Sequence, residues 1–560
     1  MAKRIKPSLL SIENLSLTIG GTPILSEINL SVAENEIVAL VGESGSGKSV
    51  TAQAVMGLLP KKVTQFTTGK IHLDKKNLNE LTSREWEQLR GKELGMVFQE
   101  PQSSLNPSMR CGEQIEEVGR QHLRPKLSKA ALKKKVLEAF EQVQLPQPER
   151  IYAAYPHQLS GGQKQRIMIA MALFCAPKLL IADEPTTALD VLVQKEIIEL
   201  IRSLQKQHKM SVLFISHDLS LVANLADRIA VMQAGKIVEQ ADTTTLFNSP
   251  QHPYTKGLLN ARPPKDKRLK KLPTLADFTH GNFRPQLVST KEREKEHQLC
   301  YQQQPILRVK QLQKSYANKR FGSHQKAATI ALREISFDLY PGETLGLVGA
   351  SGCGKSTLAK ALVFLDPANA GEVIYKGELI DGENSTQIKH LRKELQFIFQ
   401  DPYAALHPLK SIGTALDEVL KVHTPFTAKE RVTRIATLLT QVGLTPEFHL
   451  RYPHQLSGGQ RQRVVIARAL AVEPKVLICD ESVAALDISV QAQVLNLLNR
   501  LKKELNLSFL FVSHDLSVVK HMADRILVMH QGSIVEENEA DLLYQNPQTE
   551  FSKALLKAEL

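Results

Sequence analysis

The chain has 560 residues, of which 42% are hydrophobic and 23% charged, and its formal net charge is +13. A chain of this length holds about three or four domain-sized units, and a composition so close to globular averages excludes a disordered or fibrous protein. No apolar stretch reaches about 18 residues and the N-terminus lacks the apolar region of a signal peptide, so we expect neither membrane spanning nor export by that route. The positive charge is compatible with anionic partners such as nucleotides, nucleic acid or acidic lipid. Charge alone does not distinguish among these partners.

The five cysteines are scattered singly along the chain: Cys111, Cys175, Cys300, Cys353 and Cys479. They form neither the Cys-x-x-Cys pairs of a zinc site nor the regular framework of a disulfide-rich protein. The sequence therefore predicts no zinc site, no disulfide scaffold and a reducing compartment.

Several short segments occur twice in the same order. YPHQLSGGQKQR at 155–166 returns as YPHQLSGGQRQR at 452–463, and ISHDLS at 215–220 returns as VSHDLS at 512–517. The later pairs share one offset of 297 residues, whereas two earlier pairs are 307 and 301 residues apart. The constant offset indicates a duplicated domain, and the other offsets indicate surface loops of different length.

The repeat predicts two domains, at 5–262 and 305–560, joined by a linker at 263–304. The linker is rich in proline and charge, and its block at 262–271 contains six basic residues and one acidic residue. About 40 flexible residues have an r.m.s. span of ~35 Å, which lets two similar domains meet within one chain. We interpret the basic block as a solvated spacer, with contact to anionic lipid as the alternative.

The first chemical signal along the chain is a glycine-rich loop, GESGSGKS at 42–49, with a second copy, GASGCGKS, at 349–356. Each copy follows an apolar, strand-like run and opens a helix, and both fit G-x-x-x-x-G-K-[ST]. Glycines let the backbone wrap a phosphate, and N–H groups at a helix N-terminus stabilise the anion. The lysine would reach the β- and γ-phosphates, and the following serine would bind Mg²⁺. The candidate nucleotide-binding residues are Gly42, Glu43, Ser44, Gly45, Ser46, Gly47, Lys48 and Ser49 in the first loop, and Gly349, Ala350, Ser351, Gly352, Cys353, Gly354, Lys355, Ser356 and Thr357 at the second.

A glutamine follows the next strand-like run in each half. Gln99 lies in MVFQEP and Gln400 lies in FIFQDP. A neutral amide at this place can bridge a metal ion, a water molecule and a mobile loop, which makes both glutamines candidates for the Mg²⁺ site and for catalysis.

The segment LSGGQ, at 159–163 and again at 456–460, stands at the start of a predicted helix. Small Ser-Gly-Gly backbone groups there form a second anion-binding N-terminus, which a glycine-rich loop in the same domain does not need. The segment therefore predicts a site that is closed by a partner domain. Its candidate nucleotide-binding residues are Ser160, Gly161, Gly162 and Gln163, and Ser457, Gly458, Gly459 and Gln460.

Two further pairs complete the pattern. Apolar runs end in Asp183 and Glu184 in the first half and in Asp480 and Glu481 in the second. A buried parallel strand would bring the aspartate to Mg²⁺ and the glutamate to the attacking water. His217 and His514, each 33 residues beyond its glutamate, would contact the γ-phosphate or that water.

Together these segments resemble the ATP-binding cassette (ABC) family over nearly the whole chain. The glycine-rich loop, the glutamine, the LSGGQ signature, the Asp-Glu pair, the Ala-Leu-Asp segments at 188–190 and 485–487, and the histidine occur in family order, twice. The resemblance implies an α/β fold with two P-loop NTPase domains in tandem, each a RecA-like core with an antiparallel β subdomain and an α-helical signature subdomain. It also implies ATP and Mg²⁺ as ligands and ATP hydrolysis as the reaction.

The same resemblance implies two composite sites, each with the loop of one domain facing the signature of the other. The first site then joins Lys48, Ser49, Gln99, Asp183, Glu184 and His217 to Ser457, Gly458, Gly459 and Gln460, and the second joins Lys355, Ser356, Gln400, Asp480, Glu481 and His514 to Ser160, Gly161, Gly162 and Gln163. The Mg²⁺ ligands would be Ser49, Gln99 and Asp183 in the first site, and Ser356, Gln400 and Asp480 in the second. We expect both sites to hydrolyse ATP.

HPYTKGLL at 252–259 and DPYAALHP at 401–408 are similar to segments of oligopeptide and dipeptide importer ATPases. That likeness implies two transmembrane permease subunits, an external solute-binding protein, and a place on the cytoplasmic face of a bacterial inner membrane. Segments 102–117 and 402–418 would contact the permeases. Only Cys300 follows the His-Pro-Tyr segment before the second domain, so we expect no iron–sulfur cluster.

Some positions depart from the family pattern. Ile19 stands where Tyr316 would stack on adenine in the second half, and Ser482 replaces the usual proline after the Asp-Glu pair. Cys353 replaces Ser46 in the second loop. It either fills a small space or, beside a helix N-terminus and near a lysine, is a reactive thiol that bound nucleotide would protect.

Two other functions share parts of the pattern. A ribosome-associated ATPase with two cassettes would direct its basic charge to RNA, but such proteins join their halves by a long charged helix. The prolines and glycine of 263–304 oppose one continuous helix. A DNA-repair cassette ATPase would bring zinc-type cysteine pairs, which this sequence lacks. The transport function is therefore favoured, without nucleic acid as a partner.

Overall fold

Each half of the chain folds into its own unit, the first at Met1–Leu259 and the second at Asn260–Glu559. The computed structural model describes residues 7–187, 189–264, 267–279, 284–317, 328–484 and 486–558. Within these ranges, no helix combines the length and the apolar character that crossing a membrane requires.

The first unit contains two sheets. Its strands are β1 (Ser8–Ile19), β2 (Thr22–Ala33), β3 (Ile37–Val41), β4 (Thr64–Leu73), β5 (Lys76–Asn77), β6 (Leu94–Val97), β7 (Leu179–Asp183), β8 (Ser211–Ser216), β9 (Arg228–Gln233) and β10 (Lys236–Asp242). One sheet is antiparallel, with the order β2-β1-β4-β5. The other has the order β10-β9-β3-β8-β7-β6 and is parallel except for β10.

The helices of the first unit lie between its strands and after the last of them. They are α1 (Lys48–Val55), α2 (Ser83–Leu89), α3 (Pro101–Ser104), α4 (Cys111–His122), α5 (Lys129–Gln142), α6 (Pro148–Ala153), α7 (Gly161–Leu173), α8 (Val191–His208), α9 (Leu219–Ala223), α10 (Thr243–Asn248) and α11 (Pro253–Asn260). Helices α4 to α7 pack on one another and form a helical subdomain.

Hydrophobic patterning explains which sheet is which. Every residue of β3, β7 and β8 is buried, as expected for parallel strands that are covered on both faces. Strand β2 instead alternates buried and more exposed residues, as a half-buried antiparallel strand does. The buried faces of both sheets share one core cluster, which includes Leu17, Leu40 and Ile215.

The second unit repeats this architecture. Its strands are β11 (Leu307–Ala317), β12 (Ala328–Leu339), β13 (Thr344–Gly349), β14 (Ala370–Tyr375), β15 (Glu378–Leu379), β16 (Leu395–Ile398), β17 (Val476–Asp480), β18 (Ser508–Val512), β19 (Arg525–His530) and β20 (Ser533–Glu539). The sheet orders are β12-β11-β14-β15 and β16-β17-β18-β13-β19-β20. The predicted α/β fold, with a parallel core sheet, an antiparallel β subdomain and a helical signature subdomain, is confirmed in both units.

The helices of the second unit begin before its first strand. They are α12 (Leu275–Thr279), α13 (Thr290–Tyr301), α14 (Lys355–Leu362), α15 (Ser385–Glu394), α16 (Ile412–His423), α17 (Ala428–Gln441), α18 (Gly458–Leu470), α19 (Ile488–Leu505), α20 (Leu516–Met522), α21 (Ala540–Gln545) and α22 (Glu550–Ala558). Helices α12 and α13 lie in the segment that the sequence predicts to be a linker.

The described part of 263–304 differs from a solvated spacer, because it packs on the second unit. The Arg268 guanidinium donates to the carbonyl oxygens of His521 (3.2 Å) and Ala523 (2.9 Å) at the end of α20. Arg293 is buried and forms ion pairs with Glu539 (2.5 Å) and Asp541. These partners offset the cost of burying the two guanidinium groups. The solvated state predicted for the basic block is therefore wrong for Arg268. The limits 5–262 and 305–560 remain predictions.

Candidate functional site

The first glycine-rich loop connects β3 to α1. Gly42 has φ 155°, and a Cβ added there would lie 2.1 Å from the carbonyl oxygen of Met232, so only glycine fits. Lys48 turns back over the loop and its Nζ donates to the carbonyl oxygens of Gly42 (2.8 Å) and Glu43 (2.9 Å). The loop therefore encloses a buried ammonium group that phosphate oxygens could bind in place of these carbonyls.

Ser49 and Asp183 come together although they are far apart in sequence. The Ser49 hydroxyl donates to Asp183 Oδ1 (3.0 Å), because α1 begins beside the C-terminal end of β7. Burial raises the pKa of the Asp183 carboxyl to about 6; the Ser49 hydrogen bond opposes this shift and the neighbouring Glu184 charge adds to it. A hydroxyl and a buried carboxylate are hard oxygen donors of the kind that Mg²⁺ prefers.

Glu184 lies one residue beyond β7 in the left-handed region, with φ 46°. This conformation is uncommon outside glycine and is held by its N–H, which donates to the carbonyl oxygen of Ile215 (3.0 Å). The turn brings the Glu184 carboxylate to three donors. They are Gln99 Nε2 (3.0 Å), Thr187 Oγ1 (3.0 Å) and His217 Nδ1 (3.1 Å), all on Oε2.

The electrostatic environment keeps Glu184 ionised. Burial alone would raise its pKa, but the hydrogen bond and charge of His217, together with the charge of Lys48, lower it below the ordinary value. Lys48 Nζ lies 4.0 Å from Glu184 Oε1. The pKa values of the two neighbouring carboxyls are thus shifted in opposite directions, so Glu184 is the stronger acid of the pair and can accept a proton only after its hydrogen bonds are exchanged.

We expect Asp183→Asn to stabilise the chain in the absence of nucleotide and magnesium. The folded carboxyl has a pKa of about 6 against an ordinary 3.8, so the unfolded chain releases this proton first and stability falls as the pH rises from about 4 to about 6. Removing the buried charge should raise the free energy of unfolding at pH 8 by about 1–3 kcal/mol. Denaturant titrations at pH 8 and pH 4 measure the free energy of unfolding of the variant and of the wild type. A variant that is less stable at pH 8, or a gain that persists at pH 4, contradicts the expectation.

The second unit assembles the same contacts. They are Lys355 Nζ to the carbonyl oxygens of Gly349 (2.9 Å) and Ala350 (3.0 Å), Ser356 Oγ to Asp480 Oδ1 (3.1 Å), Gln400 Nε2 to Glu481 Oε2 (2.7 Å), and His514 Nδ1 to Glu481 Oε1 (3.5 Å). Glu481 also has a positive φ, 47°. Burial raises the pKa of Asp480, whereas His514 and Lys355 overcome the effect of burial and lower the pKa of Glu481.

The two sites differ in one donor to the glutamate. Thr187 in the first unit corresponds to Ala484 in the second, which has no hydroxyl to donate to Glu481. Sequence reasoning did not single out Thr187, although the contrast between DEPTTALD and DESVAALD shows that the second unit lacks this threonine.

Burial lowers the pKa of the His514 imidazole, but the hydrogen bond and charge of Glu481 exceed that effect and leave the pKa raised.

The signature segments begin helices α7 and α18. Ser160 caps α7 and accepts the Gln163 N–H (3.3 Å), while Gln163 Oε1 accepts the Ser160 N–H (3.1 Å). Ser457 and Gln460 form the same capping box. A Cβ on Gly162 would lie 2.8 Å from Val193 Cγ1, so the second glycine permits close contact with α8. The first turn of each helix therefore presents small residues and backbone N–H groups.

Ile19 is the last residue of β1, and Tyr316 is the residue before the last in β11. Tyr316 is 41% exposed, its ring lies 5.3 Å from Lys314 Nζ, and its hydroxyl donates to Asp366. Ile19 instead packs against the core of the first unit. An aromatic face is thus available beside the second loop, and an aliphatic side chain stands at the corresponding position of the first unit.

Cys353 is 7% exposed and belongs to the core cluster of the second unit. This burial leaves little surface for a thiol reagent and favours the interpretation in which the side chain fills space.

Burial raises the pKa of the Cys300 thiol to about 12, and the charges of Glu343 and Asp524 add to this shift. Ala188 and Ala485 of the Ala-Leu-Asp segments lie outside the described residues.

Family models match most of the regions that form these sites. The model described as "ABC transporter" matches residues 25–187 and 332–484. The model described as "Oligopeptide/dipeptide transporter, C-terminal region" matches residues 238–281. The second match includes the His-Pro-Tyr segment and part of the predicted linker.

Some relatives align with nearly the whole chain. The chain is 42% identical over 566 residues to "Glutathione import ATP-binding protein GsiA" of Escherichia coli O157:H7, of E. coli K12 and of Shigella flexneri, covering 98% of this chain and 89% of each relative. Solved structures that match include a post-hydrolysis state of the ATP-binding cassette MJ0796 bound to ADP and Pi (28% identity, TM-score 0.38, 42% of this chain and 99% of that chain). Another is cbiO1 from Clostridium perfringens (28%, TM-score 0.38, 44% and 92%).

These findings favour transport over the ribosome-associated alternative. The transporter-specific region at 238–281 is present, and the relatives align along both domains. The chain therefore belongs to the ABC transporter family, as an ATP-hydrolysing subunit of the oligopeptide and dipeptide transporter type that carries two ATP-binding domains.

Proposed function

We propose that the chain energises the import of small peptides, with glutathione, a tripeptide, as the first candidate solute. The single observation that carries the solute class is the match of residues 238–281 to the oligopeptide and dipeptide transporter region. The GsiA relatives are named for glutathione import, which supports that candidate. The selection of the solute itself resides mainly in partner subunits.

The proposed partners are two transmembrane permease subunits and an external solute-binding protein, with the chain at the cytoplasmic face of the cell membrane. The segments that follow Gln99 and Gln400 are the proposed permease contacts. In the second of them Leu409 is 81% exposed and Tyr403 is 46% exposed, which offers apolar surface to a partner. A loop with one end at the nucleotide can transmit closure of the site to the permease.

The residues of each loop fit ATP phosphates and a magnesium ion. In the first site, Lys48 would exchange its two loop carbonyls for β- and γ-phosphate oxygens, while Ser49 and Asp183 would hold Mg²⁺. Gln99 is the proposed further ligand. The bound ion supplies charge neutralisation of the phosphates. Lys355, Ser356, Asp480 and Gln400 have the same proposed roles in the second site.

Glu184 and Glu481 are the proposed bases. Each carboxylate is held ionised, and each is bonded to the amide of Gln99 or Gln400. Release of the amide would free a carboxylate oxygen to accept a proton from the attacking water. His217 and His514 contact the glutamates and would also contact the γ-phosphate or the attacking water.

Hydrolysis is proposed to require pairing of the two domains. The signature residues at the start of α18 would face the first loop, and those at the start of α7 would face the second. Backbone N–H groups at a helix N-terminus bind anions, and the capping boxes leave small side chains there. The intramolecular pairing would bring an additional donor set to each γ-phosphate.

Uptake measurements test this function. Cells whose copy of the gene is disrupted are expected to lose uptake of radiolabelled glutathione or of a labelled di- or tripeptide. The wild-type chain should restore uptake, and the double variant Glu184→Gln, Glu481→Gln should not, although it is made in equal amount. Uptake of an amino acid such as leucine serves as the control. Unchanged uptake of all the peptides, with the chain sedimenting on ribosomes, would contradict the proposal and support the alternative.

A further inference from the structure

Tyr254, in the His-Pro-Tyr segment, contacts the first glycine-rich loop. The Glu43 N–H donates to the Tyr254 hydroxyl oxygen (3.1 Å), across 211 residues of sequence. The carbonyl oxygen of the same Glu43 accepts from Lys48 Nζ (2.9 Å). Tyr254 is 6% exposed, so its hydroxyl contacts this peptide from within the fold. Both backbone groups of Glu43 are therefore bonded to side chains.

The position of Tyr254 is fixed by the turn before α11. The Glu239 carboxylate on β10 accepts the N–H groups of Gln251 (2.8 Å) and His252 (3.0 Å). The Tyr254 N–H donates to His252 Nδ1 (3.2 Å) at the start of the helix. The tyrosine ring is thus attached to the core sheet through β10, and a shift of the loop would break a bond to a rigid element.

The second unit keeps the turn and lacks the hydroxyl. The Glu536 carboxylate accepts the N–H groups of Gln548 (2.9 Å) and Thr549 (3.0 Å), as Glu239 does in the first unit. Phe551 stands 297 residues after Tyr254, and its ring packs against His530 at 4.0 Å between ring centroids. Duplication therefore provides the same scaffold with tyrosine in one copy and phenylalanine in the other.

We infer that Tyr254 is a positioning residue that pre-organises the first glycine-rich loop for nucleotide phosphates, and that the second loop lacks this support. The inference rests on the proposed assignment of 42–49 to the phosphates. A loop that is already held loses less freedom when it binds, so the hydroxyl lowers the Kd for nucleotide at the first site alone. The Tyr254 hydroxyl is then one source of a difference in nucleotide affinity between the two ATP sites of one chain.

Each site is measured in a full-length chain whose other site is disabled. Lys355→Ala leaves the first site, and Lys48→Ala leaves the second. In the Lys355→Ala chain we expect Tyr254→Phe to raise the Kd of a fluorescent ATP analogue by about 2- to 10-fold. This range corresponds to the net free energy of one hydrogen bond. Tyr152→Phe is the matched control, because its hydroxyl binds Glu116 in the helical subdomain, and its Kd should be unchanged.

Phe551→Tyr is the reverse test. In the Lys48→Ala chain, Phe551→Tyr should lower the Kd of the nucleotide analogue at the second site. If Tyr254→Phe does not fold, this variant alone tests whether the hydroxyl lowers the Kd. An unchanged Kd in a folded Tyr254→Phe chain overturns the inference. If the chain with both Lys48→Ala and Lys355→Ala binds the analogue as well as the wild type, the assignment of the loops to phosphates is wrong, which is a different result.

Discussion

Glu184→Gln is expected to lower turnover of ATP at the first site by ~10²–10⁴-fold, as the loss of a general base does. The glutamine keeps the size of the side chain but cannot accept the proton of the attacking water. The carboxylate that it replaces is ionised, because His217 and Lys48 lower its pKa despite burial. Glu481→Gln should act equally at the second site.

Phosphate release under single-turnover conditions measures both variants. Glu550→Gln, in the exposed first turn of α22, is the control and should retain wild-type turnover. Because each unit assembles its own lysine, serine, aspartate, glutamine and histidine around the glutamate, we expect both variants to be impaired. Unchanged turnover in the Glu481→Gln chain would leave the second site with a regulatory function only.

Ser457→Arg is expected to lower turnover at the first site by ~10²-fold or more, although Ser457 belongs to the second unit. Ser457 caps α18 and its small side chain leaves room for an anion at the helix start. A bulky side chain there would separate the helix N–H groups from the γ-phosphate and remove their stabilisation of the developing charge. Binding of ATP to the first loop should change little, since the loop contacts remain.

Photo-labelling of nucleotide trapped after hydrolysis identifies the affected site. Ser457→Arg should abolish labelling of the first loop and leave labelling of the second loop, while Ser160→Arg should do the reverse. Val193→Ala, behind Gly162 on α8, is the matched control for disturbance of the signature region. Loss of labelling at the loop of the same unit as the replaced serine would contradict head-to-tail pairing.

The local patterns predicted the backbone setting of most candidate site residues. The glycine-rich loop after an apolar run predicts a strand, a loop and a helix in succession, and the structure has β3, the loop and α1 in that order. Asp183 and Asp480 end buried parallel strands, as their sequence predicts. These features follow from backbone geometry and hydrophobic burial, which act over a few residues. The internal repeat predicted the same features in the second half of the chain.

Tertiary structure decided the contacts that tune each site. The Thr187 hydroxyl on Glu184 and the left-handed conformation of Glu184 depend on how one turn packs beside β8. Composition predicted a solvated basic block at 262–271, whereas Arg268 of that block donates to a backbone carbonyl oxygen of the second unit. Arg293, later in the predicted linker, forms an ion pair with Glu539. A local sequence pattern does not reveal which side chains on distant elements come into contact. The cost of burying a charge depends on such partners, and the fold alone brings them together.

The sequence by itself determined the family, the order of its motifs along the chain and the candidate residues of the two sites. It did so because phosphate binding and metal binding require particular residues at fixed places along short segments. The tertiary structure alone decided the difference between the sites at Tyr254 and Phe551. That difference requires a hydroxyl group to meet a backbone N–H group 211 residues away, and only the packing of α11 brings the two together.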